Sequence, residues 1–272
     1  MYANKPPRRH KSDDEPRPQG SDLQHRQLSR GSFRLRSCTK SPRVPYNSLM
    51  ITCLFDIDGT LLASGGAGKA ALELAFTETF HTTLRTQIPY SGRTDRAIMR
   101  ELLHTHDVEY SPANRQTLMS AYLALLPDSL NRHQGRVLPG ILALLDELRR
   151  RGNIALGLLT GNVRAGARVK LGHYGLFEQF AFGGFGDHHY DRDDVAREAL
   201  GEAKTHVGPQ LSPDRVWVIG DTPLDVKCAR AIGAKVVAVA TGVHTVEQLA
   251  ESKPDLTLRD LADPSPFLEM LG

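Results

Sequence analysis

The chain has 272 residues, of which 40% are hydrophobic and 24% charged, and its formal net charge is +3. This length can bury a sizeable core, and no run approaches the ~20 consecutive apolar residues that a membrane-spanning helix needs. We therefore predict a globular protein without a membrane segment. Its cysteines, Cys38, Cys53 and Cys228, show neither metal-site spacing nor an even disulfide framework, which favours a reducing cytoplasm.

The excess positive charge lies in residues 1–49. This segment holds 11 Lys and Arg against 4 Asp and Glu, a net charge of +7, so the rest of the chain carries −4 and gives no case for nucleic-acid binding. Because the segment is rich in Pro, Arg, Ser and Gln, we predict a disordered basic tail. Met50 directly precedes the first core strand, which suggests a biological start there. A basic arm that contacts a partner is the open alternative.

The first core segment, residues 51–61, reads Ile-Thr-Cys-Leu-Phe-Asp-Ile-Asp-Gly-Thr-Leu. Alternate strand residues share a face, so Asp56 and Asp58 can point the same way at the end of an apolar strand. Two carboxylates so close repel each other unless a cation lies between them, and Gly59 permits a sharp turn. The pattern indicates a Mg²⁺ site with an aspartate nucleophile and an acid/base aspartate. The alternative is a turn that caps a following helix.

Helical spacing of apolar residues follows over residues 66–80, 94–106 and 113–130. No convincing strand separates these segments, so residues 64–135 are predicted to form an all-helical cap inserted after the first strand. Within it, Arg93 lies in a loop of small residues before a helix and could bring a cation over a leaving group. The alternative makes Thr94 a helix N-cap and leaves Arg93 in solvent.

After the cap, strands and helices alternate, beginning with an amphipathic helix near Pro139. Such alternation predicts an α/β fold, a Rossmann-like parallel sheet with helices on both faces, formed by residues 50–63 and 136–272. Ligands of such sheets bind beyond the carboxyl ends of the strands. Strands are expected near residues 154–159, 179–183, 216–220 and 235–240, and helices near 163–173, 191–206 and 223–232.

Two later strands also end in polar residues. The first ends in Thr160, Gly161 and Asn162, whose hydroxyl and amides suit a phosphoryl group. The second ends in Gly-Asp-Thr-Pro-Leu-Asp, where Asp221 faces the same pocket and Asp225 lies one helical turn further along. Each of these motifs is a weak signal alone, but both of them, like Asp56 and Asp58, come at the end of a predicted strand.

Together these segments make the chain resemble the haloacid dehalogenase superfamily, and within it the phosphoglycolate-phosphatase-like hydrolases, over roughly residues 50–270. The resemblance implies that Asp56 attacks phosphorus and that Asp58 handles the proton. It also implies that Thr160 holds the phosphoryl group, and that Mg²⁺ binds Asp56, Asp221 and the backbone carbonyl of Asp58, with Asp225 in support. The second acid of the first motif favours phosphoryl chemistry over dehalogenation.

One expected part of the family pattern is missing. Relatives place a lysine, often followed by proline, between the second and last motifs, but this interval has no Lys-Pro pair. Arg192 is the best substitute because it opens the next helix and its guanidinium can contact two phosphate oxygens. The alternative is a helix-start salt bridge to Asp193 or Asp194. Lys204 is a poorer candidate, and Lys170 is the reserve.

These observations predict a Mg²⁺-dependent phosphatase that hydrolyses a small phosphorylated metabolite, phosphoglycolate being the first candidate, through an aspartyl-phosphate intermediate. Three alternatives stay open: a sugar phosphomutase, a 2-haloacid dehalogenase, and a non-catalytic binding protein that uses the basic tail. No pattern in the sequence indicates an oligomeric state.

Overall fold

The computed structural model describes residues 50–272. The predictions made for residues 1–49, disorder and a possible contact with a partner, therefore lie outside the described residues. Within residues 50–272, no helix is both long and apolar enough to cross a membrane.

The strands of this region are β1 (Ile51–Phe55), β2 (Leu62–Ala63), β3 (Arg136–Val137), β4 (Ile154–Leu159), β5 (Phe182–Gly184), β6 (Val216–Gly220), β7 (Lys235–Val239) and β8 (Leu256–Leu258). Six of them form a central parallel sheet in the order β5-β4-β1-β6-β7-β8. The other two, β2 and β3, form a separate antiparallel pair that joins the two ends of the segment between them.

Helices connect the strands and lie on both faces of the sheet. They are α1 (Ala67–Phe80), α2 (Asp95–Thr105), α3 (Pro112–Arg132), α4 (Ile141–Arg150), α5 (Arg164–His173), α6 (Arg192–Val207), α7 (Pro223–Ala231), α8 (Val246–Glu251) and α9 (Ser265–Leu271). One apolar cluster joins the sheet to α4, α5 and α9, and a second joins it to α6, α7 and α8. The predicted α/β fold with a Rossmann-like sheet is confirmed.

The sequence of the central strands explains why they are buried on both sides. β6 is a continuous apolar run and β1 is apolar apart from Thr52, and every residue in both strands is buried. Parallel strands covered by helices on both faces lose the polar alternation of half-exposed strands. The two strands are neighbours in the sheet, so their carboxyl ends meet at one edge.

Residues 64–135, all of which the structure describes, contain α1, α2 and α3 and no strand. We call this segment the helical insertion. It has its own apolar cluster, which includes Phe76, Met99 and Leu126. The proposed division into a cap and a core remains a prediction, because the insertion also packs against α5. We refer to residues 50–63 and 136–272 as the sheet domain.

The differences from the predicted elements are local. The strand expected over residues 179–183 is β5, because a short 3-10 turn takes up Phe177–Gln179. The elements α8, β8 and α9 had no sequence-based counterpart. β8 is only three residues long and half-buried, so it lacks the long apolar run that marked the central strands.

Candidate active site

A cavity of about 410 Å³ lies where the carboxyl ends of the central strands face the helical insertion. Asp56 follows β1 directly, and Asp221 follows the neighbouring strand β6. The sequence-predicted residues that line the cavity are Asp56, Asp58, Arg93, Gly161, Asn162, Arg192 and Asp221. Thr160 and Asp225 are buried and are not among its lining residues.

The nucleophile candidate Asp56 lies in a buried ion-pair group, which we call the Arg192 cluster: Asp56, Arg192 and Asp225. Arg192 Nη2 is 3.1 Å from Asp56 Oδ1, and the same nitrogen donates to Asp225 Oδ1. The alternative interpretation, a salt bridge to Asp193 or Asp194, is wrong. Asp193 pairs with Lys227 and Asp194 with Arg197.

The electrostatics of this cluster favour a bound cation. Burial raises the pKa of Asp56 to about 6; the Arg192 charge opposes this shift, and Asp225 and Asp58 add to it. Burial also raises the pKa of Asp221 to about 9, with further increases from Asp225 and Asp56. The single positive charge of Arg192 cannot balance the negative charges that Asp56, Asp221 and Asp225 would carry when ionised.

The donor set fits a hard metal ion. Asp56, Asp221 and Asp225 each offer a carboxylate oxygen, and these oxygens lie within 4.8 Å of one another. Asp56 Oδ1 is buried, with Arg192 Nη2 3.1 Å away as its ion-pair partner. Carboxylate oxygens are the ligands that Mg²⁺ prefers, so the cluster suits the predicted ion.

Two glycines make room for the Asp221 carboxylate. A Cβ at Gly59, where φ is +82°, would lie 2.4 Å from Asp221 Oδ2, and one at Gly242 would lie 1.7 Å away. The loop after β1 and the loop after β7 therefore both approach Asp221 closely, which only glycine permits.

Asp225 is a structural neighbour of this site as well as a possible ligand. Its Oδ2 accepts hydrogen bonds from Thr222 N at 3.0 Å and Thr222 Oγ1 at 2.8 Å, which caps α7. Its Oδ1 accepts from Arg192. Both oxygens are thus already engaged, in keeping with the supporting role expected for Asp225.

The acid/base candidate Asp58 belongs to a second group, the Lys170 cluster: Asp58, Asn162 and Lys170. Lys170 Nζ donates to Asp58 Oδ2 at 2.6 Å and to Asn162 Oδ1 at 2.7 Å. Asn162 Nδ2 donates to the same Asp58 Oδ2 at 2.9 Å. The Asn162 side chain thus bridges the lysine and the aspartate.

Charge in the Lys170 cluster is nearly balanced. Burial favours a higher pKa for Asp58, but the Lys170 charge and the hydrogen bonds from Lys170 and Asn162 bring the pKa below its ordinary value. Burial likewise favours a lower pKa for Lys170, yet Asp58, Tyr122 and Asp95 raise it above the ordinary range. Both groups therefore carry charge at neutral pH.

Thr160 contacts the site through Asn162, and Gly161 contacts the loop of the helical insertion. Thr160 Oγ1 accepts hydrogen bonds from Asn162 N at 3.3 Å and Asn162 Nδ2 at 2.9 Å. A Cβ at Gly161 would lie 2.1 Å from the Arg93 carbonyl oxygen. A glycine is therefore required where the insertion loop crosses this turn.

The loop before α2 fastens the insertion to the sheet domain. Asp95 N donates to Gly161 O at 2.8 Å, and Val163 N donates to Asp95 Oδ2 at 2.8 Å. Burial raises the pKa of Asp95 to about 6, although Lys170 and the Val163 amide oppose the shift. These two hydrogen bonds hold the loop before α2 against the Thr160-Gly161-Asn162 segment.

Arg93 has partners of its own beside the cavity. Its Nη2 lies 2.6 Å from Glu101 Oε2, and its Nη1 donates to Pro89 O at 3.0 Å. Thr94 accepts from Ala97 N at 3.1 Å and caps α2. The N-cap interpretation of Thr94 is confirmed, while Arg93 is ion-paired at the cavity wall rather than free in solvent.

Comparison with known proteins decides the family. The sequence profile of the haloacid dehalogenase-like hydrolases matches residues 53–239, which is more than half of the chain. The chain belongs to this family.

Relatives of this hydrolase agree with that assignment. A phosphoglycolate phosphatase of Nitrosococcus oceani is 26% identical over 229 residues, covering 77% of this chain and 92% of the relative. One of Synechococcus elongatus is 31% identical over 153 residues, covering 56% and 68%. These matches confirm the predicted resemblance and the predicted enzyme class, a phosphoric monoester hydrolase.

A solved structure confirms the fold of the hydrolase. The crystal structure of a predicted phosphoglycolate phosphatase from Haemophilus somnus superposes with a TM-score of 0.63. It is 18% identical and covers 81% of this chain and 99% of its own. At this identity the likeness concerns architecture alone.

Two features of the site were missed from the sequence. Lys170 was only a reserve, although Ala167, Lys170 and Leu171 share the buried face of α5 at helical spacing. The loop at Thr241 and Gly242 also lines the cavity. It follows β7, so its position at the carboxyl end of a strand was an available signal.

Proposed function

We propose that this hydrolase is a Mg²⁺-dependent phosphatase that cleaves a small phosphomonoester through an aspartyl phosphate on Asp56. The observation that carries the proposal is the buried Asp56 carboxylate, ion-paired to Arg192, with Asp221 and Asp225 close enough to share a cation. An anionic nucleophile that approaches a phosphate needs positive charge beside it, and Arg192 Nη2 lies 3.1 Å from Asp56 Oδ1.

The first half-reaction joins Asp56 to the phosphoryl group. In the proposal, Asp56, Asp221 and the backbone carbonyl of Asp58 hold Mg²⁺, with Asp225 in support. Mg²⁺ bound there supplies positive charge that offsets the repulsion between carboxylate and phosphate. Arg192 and the amides of Gly161 and Asn162 hold phosphoryl oxygens in the proposal. Thr160 was expected to hold the phosphoryl group directly, but it is buried and accepts hydrogen bonds from Asn162, so we propose that it acts by keeping Asn162 in place.

Asp58 handles the proton in both half-reactions. Its carboxylate is ionised in the substrate-free site, so in the proposal it first takes up the proton of a monoprotonated phosphate ester and gives it to the departing alcohol. In the second half-reaction it takes a proton from the water that hydrolyses the aspartyl phosphate. Its position beside the cavity suits both proton transfers.

The size and charge of the cavity support a small anionic substrate. Lys69 and Arg93 line its insertion side, where they pair with Glu73 and Glu101. A leaving group with a second negative charge would compete with these carboxylates for the two cations. The curated relatives are named phosphoglycolate phosphatases. We therefore propose phosphoglycolate as the first substrate to test, ahead of other small phosphate esters.

The deciding experiment is an assay of 4-nitrophenyl phosphate and a panel of phosphate esters, with and without Mg²⁺. Asp56→Asn is expected to abolish turnover, and Asp58→Asn to lower it by about 10²-fold. Asp146→Asn, the same change at an exposed site on α4, is the matched control. Wild-type rates in Asp56→Asn would overturn the proposal.

Two further readouts separate the competing activities. An isomerised sugar phosphate formed without release of inorganic phosphate would indicate a mutase, and chloride release from a chloroacid would indicate a dehalogenase. Deletion of residues 1–49 should leave activity intact, whereas a binding protein that depends on the tail would lose its function.

A further inference from the structure

Lys170 is a buried charge without a role in the proposed reaction. Its side chain is 6% exposed, and it lies on α5, which follows the second motif. A buried ammonium is costly unless it is paired and hydrogen-bonded. Its partners are Asp58 and Asn162, both of them cavity residues.

The contacts of Lys170 fix the rotation of the Asp58 carboxylate. Lys170 Nζ at 2.6 Å and Asn162 Nδ2 at 2.9 Å both donate to Oδ2 of Asp58. Because two donors converge on one oxygen, the plane of the carboxylate is held. The other oxygen, Oδ1, is used by neither donor.

The helical insertion confines Lys170 from the opposite side. A Cβ at Gly68, in the first turn of α1, would lie 3.0 Å from Lys170 Nζ and 3.1 Å from its Cε. Lys170 also interacts electrostatically with Tyr122 of α3 and Asp95 of α2. The ammonium thus has little room to leave Asp58.

We propose that Lys170 is a positioning residue that holds the Asp58 carboxylate in the orientation needed to deprotonate the hydrolytic water. This inference rests on the proposed function. In that step the water oxygen bonds to phosphorus, one water proton moves to Asp58, and the bond between phosphorus and Asp56 breaks. The products are inorganic phosphate and a free Asp56 carboxylate. Lys170 keeps its own protons and acts only through Asp58.

The two half-reactions can be separated with 4-nitrophenyl phosphate, because 4-nitrophenolate leaves without needing a proton. In rapid mixing, the first turnover of nitrophenol reports attack by Asp56, and the steady state reports hydrolysis of the aspartyl phosphate. Lys170→Met should keep the first phase within a few-fold of wild type. Its steady-state rate should fall by about 10²-fold, so that a burst of nitrophenol appears.

A double-mutant cycle tests whether Lys170 acts through Asp58. Added to Asp58→Asn, Lys170→Met should cost less than about two-fold further, since the carboxylate that it positions is already gone. Lys204→Met, the same substitution on α6, should change neither phase. A loss of general structural integrity would lower both phases and would persist in the Asp58→Asn background.

Specific outcomes overturn the inference. Equal slowing of both phases, or a full additional loss on top of Asp58→Asn, would reject the positioning role. If Lys170→Met does not fold by circular dichroism, Lys170→Leu enters the same cycle under the same criteria, since it also removes both the charge and the donor. An active Asp56→Asn would reject the proposed function, whereas a burst-free Lys170→Met beside an inactive Asp56→Asn would reject only the role of Lys170.

Discussion

The active site contains two buried groups of cations and carboxylates, and they are anchored differently. All members of the Arg192 cluster come from the sheet domain: the end of β1, the start of α6 and the first turn of α7. The Lys170 cluster also belongs to the sheet domain, but residues of the helical insertion, Gly68 among them, pack directly against it. The surroundings of Asp56, the proposed nucleophile, are thus built into the sheet, whereas those of Asp58, the proposed acid/base residue, depend on the insertion.

Charge balance differs in the same way. Arg192 serves both Asp56 and Asp225, with Asp221 nearby, and the pKa of Asp56 is raised mainly by burial. Lys170 pairs with Asp58, whose pKa is lowered in spite of burial. One cluster lacks positive charge and suits a metal ion, while the other is complete without one.

The largest expected effect concerns the Arg192 cluster. Arg192→Met leaves Asp56 and Asp225 buried without their cation, so the free energy of unfolding should fall by about 3–5 kcal/mol. Activity should fall by about 10²–10³-fold, since a phosphoryl-binding donor is lost. Urea unfolding and phosphatase assays measure the two losses.

Arg197→Met provides the matched control for this prediction. Arg197 is on the same helix but forms an exposed pair with Asp194, which contributes at most about 1 kcal/mol. Comparable losses in both variants would contradict the distinction between the Arg192 cluster and surface ion pairs.

The second prediction uses the missing positive charge. Without metal, the folded-state pKa is about 6 for Asp56 and about 9 for Asp221. Both are raised above the ordinary value, so their stabilising protonated forms are fully present below about pH 4. That contribution is lost as the pH rises through 6 and then 9.

Mg²⁺ must displace those protons, so it should stabilise the protein more at high pH. At about 100 times its dissociation constant, the expected gain is about 2.7 kcal/mol. Melting temperatures with Mg²⁺ and with EDTA, compared near pH 8.5 and near pH 5.5, give the measurement. Asp221→Asn should remove the difference, and an equal shift at both pH values would argue against metal binding by these carboxylates.

The sequence predicts the residues that the sheet places in the site better than the contacts between the sheet domain and the helical insertion. The residues at strand ends, such as Asp56 and Asp221, were predictable because continuous apolar runs locate buried parallel strands and ligands gather at their carboxyl ends. The position of Arg192 beside Asp56 was predictable because Arg192 opens a helix after such a strand; its role in place of the family lysine stays a prediction. These signals are local in the sequence.

Residues whose role depends on contacts between distant segments were harder to predict. Lys170 meets Asp58 across 112 positions of the chain, and no periodicity encodes such a pairing. Asp95 meets Val163 across 68 positions, although the sequence had singled out its loop. Periodicity located the helices of the insertion, but it cannot tell which side chains they place over the sheet.

The third prediction tests the contact between the insertion and the sheet domain. In the wild-type protein, Val163 N donates to Asp95 Oδ2 at 2.8 Å. Asp95→Ala removes this acceptor and leaves the Val163 amide without one. The expected cost is about 1–3 kcal/mol of unfolding free energy. Asp95→Asn keeps an acceptor and should stay within about 1 kcal/mol of wild type near pH 7.5, because burial already disfavours the charged form of Asp95. Equal losses in the two variants would show that the hydrogen bond is not what matters.

The smallest effect on stability is expected at Arg93, and it separates substrate binding from packing. Arg93 and Glu101 form a partly exposed pair, with side chains 22% and 37% accessible, so Arg93→Ala should change the unfolding free energy by less than about 1 kcal/mol. If Arg93 meets a charged leaving group, KM for phosphoglycolate should rise about 5- to 10-fold, the equivalent of about 1 kcal/mol. KM for 4-nitrophenyl phosphate, whose leaving group carries no carboxylate, should not change.

Glu101→Gln sharpens the same comparison because it removes the carboxylate that competes for Arg93. It should leave KM for phosphoglycolate unchanged or lower it, the opposite direction from Arg93→Ala. Steady-state kinetics on both substrates measure the difference. If Arg93→Ala raises KM for both substrates equally, the guanidinium acts on the phosphoryl group or on the loop rather than on the leaving group. The insertion would then complete the site without selecting its substrate through this residue.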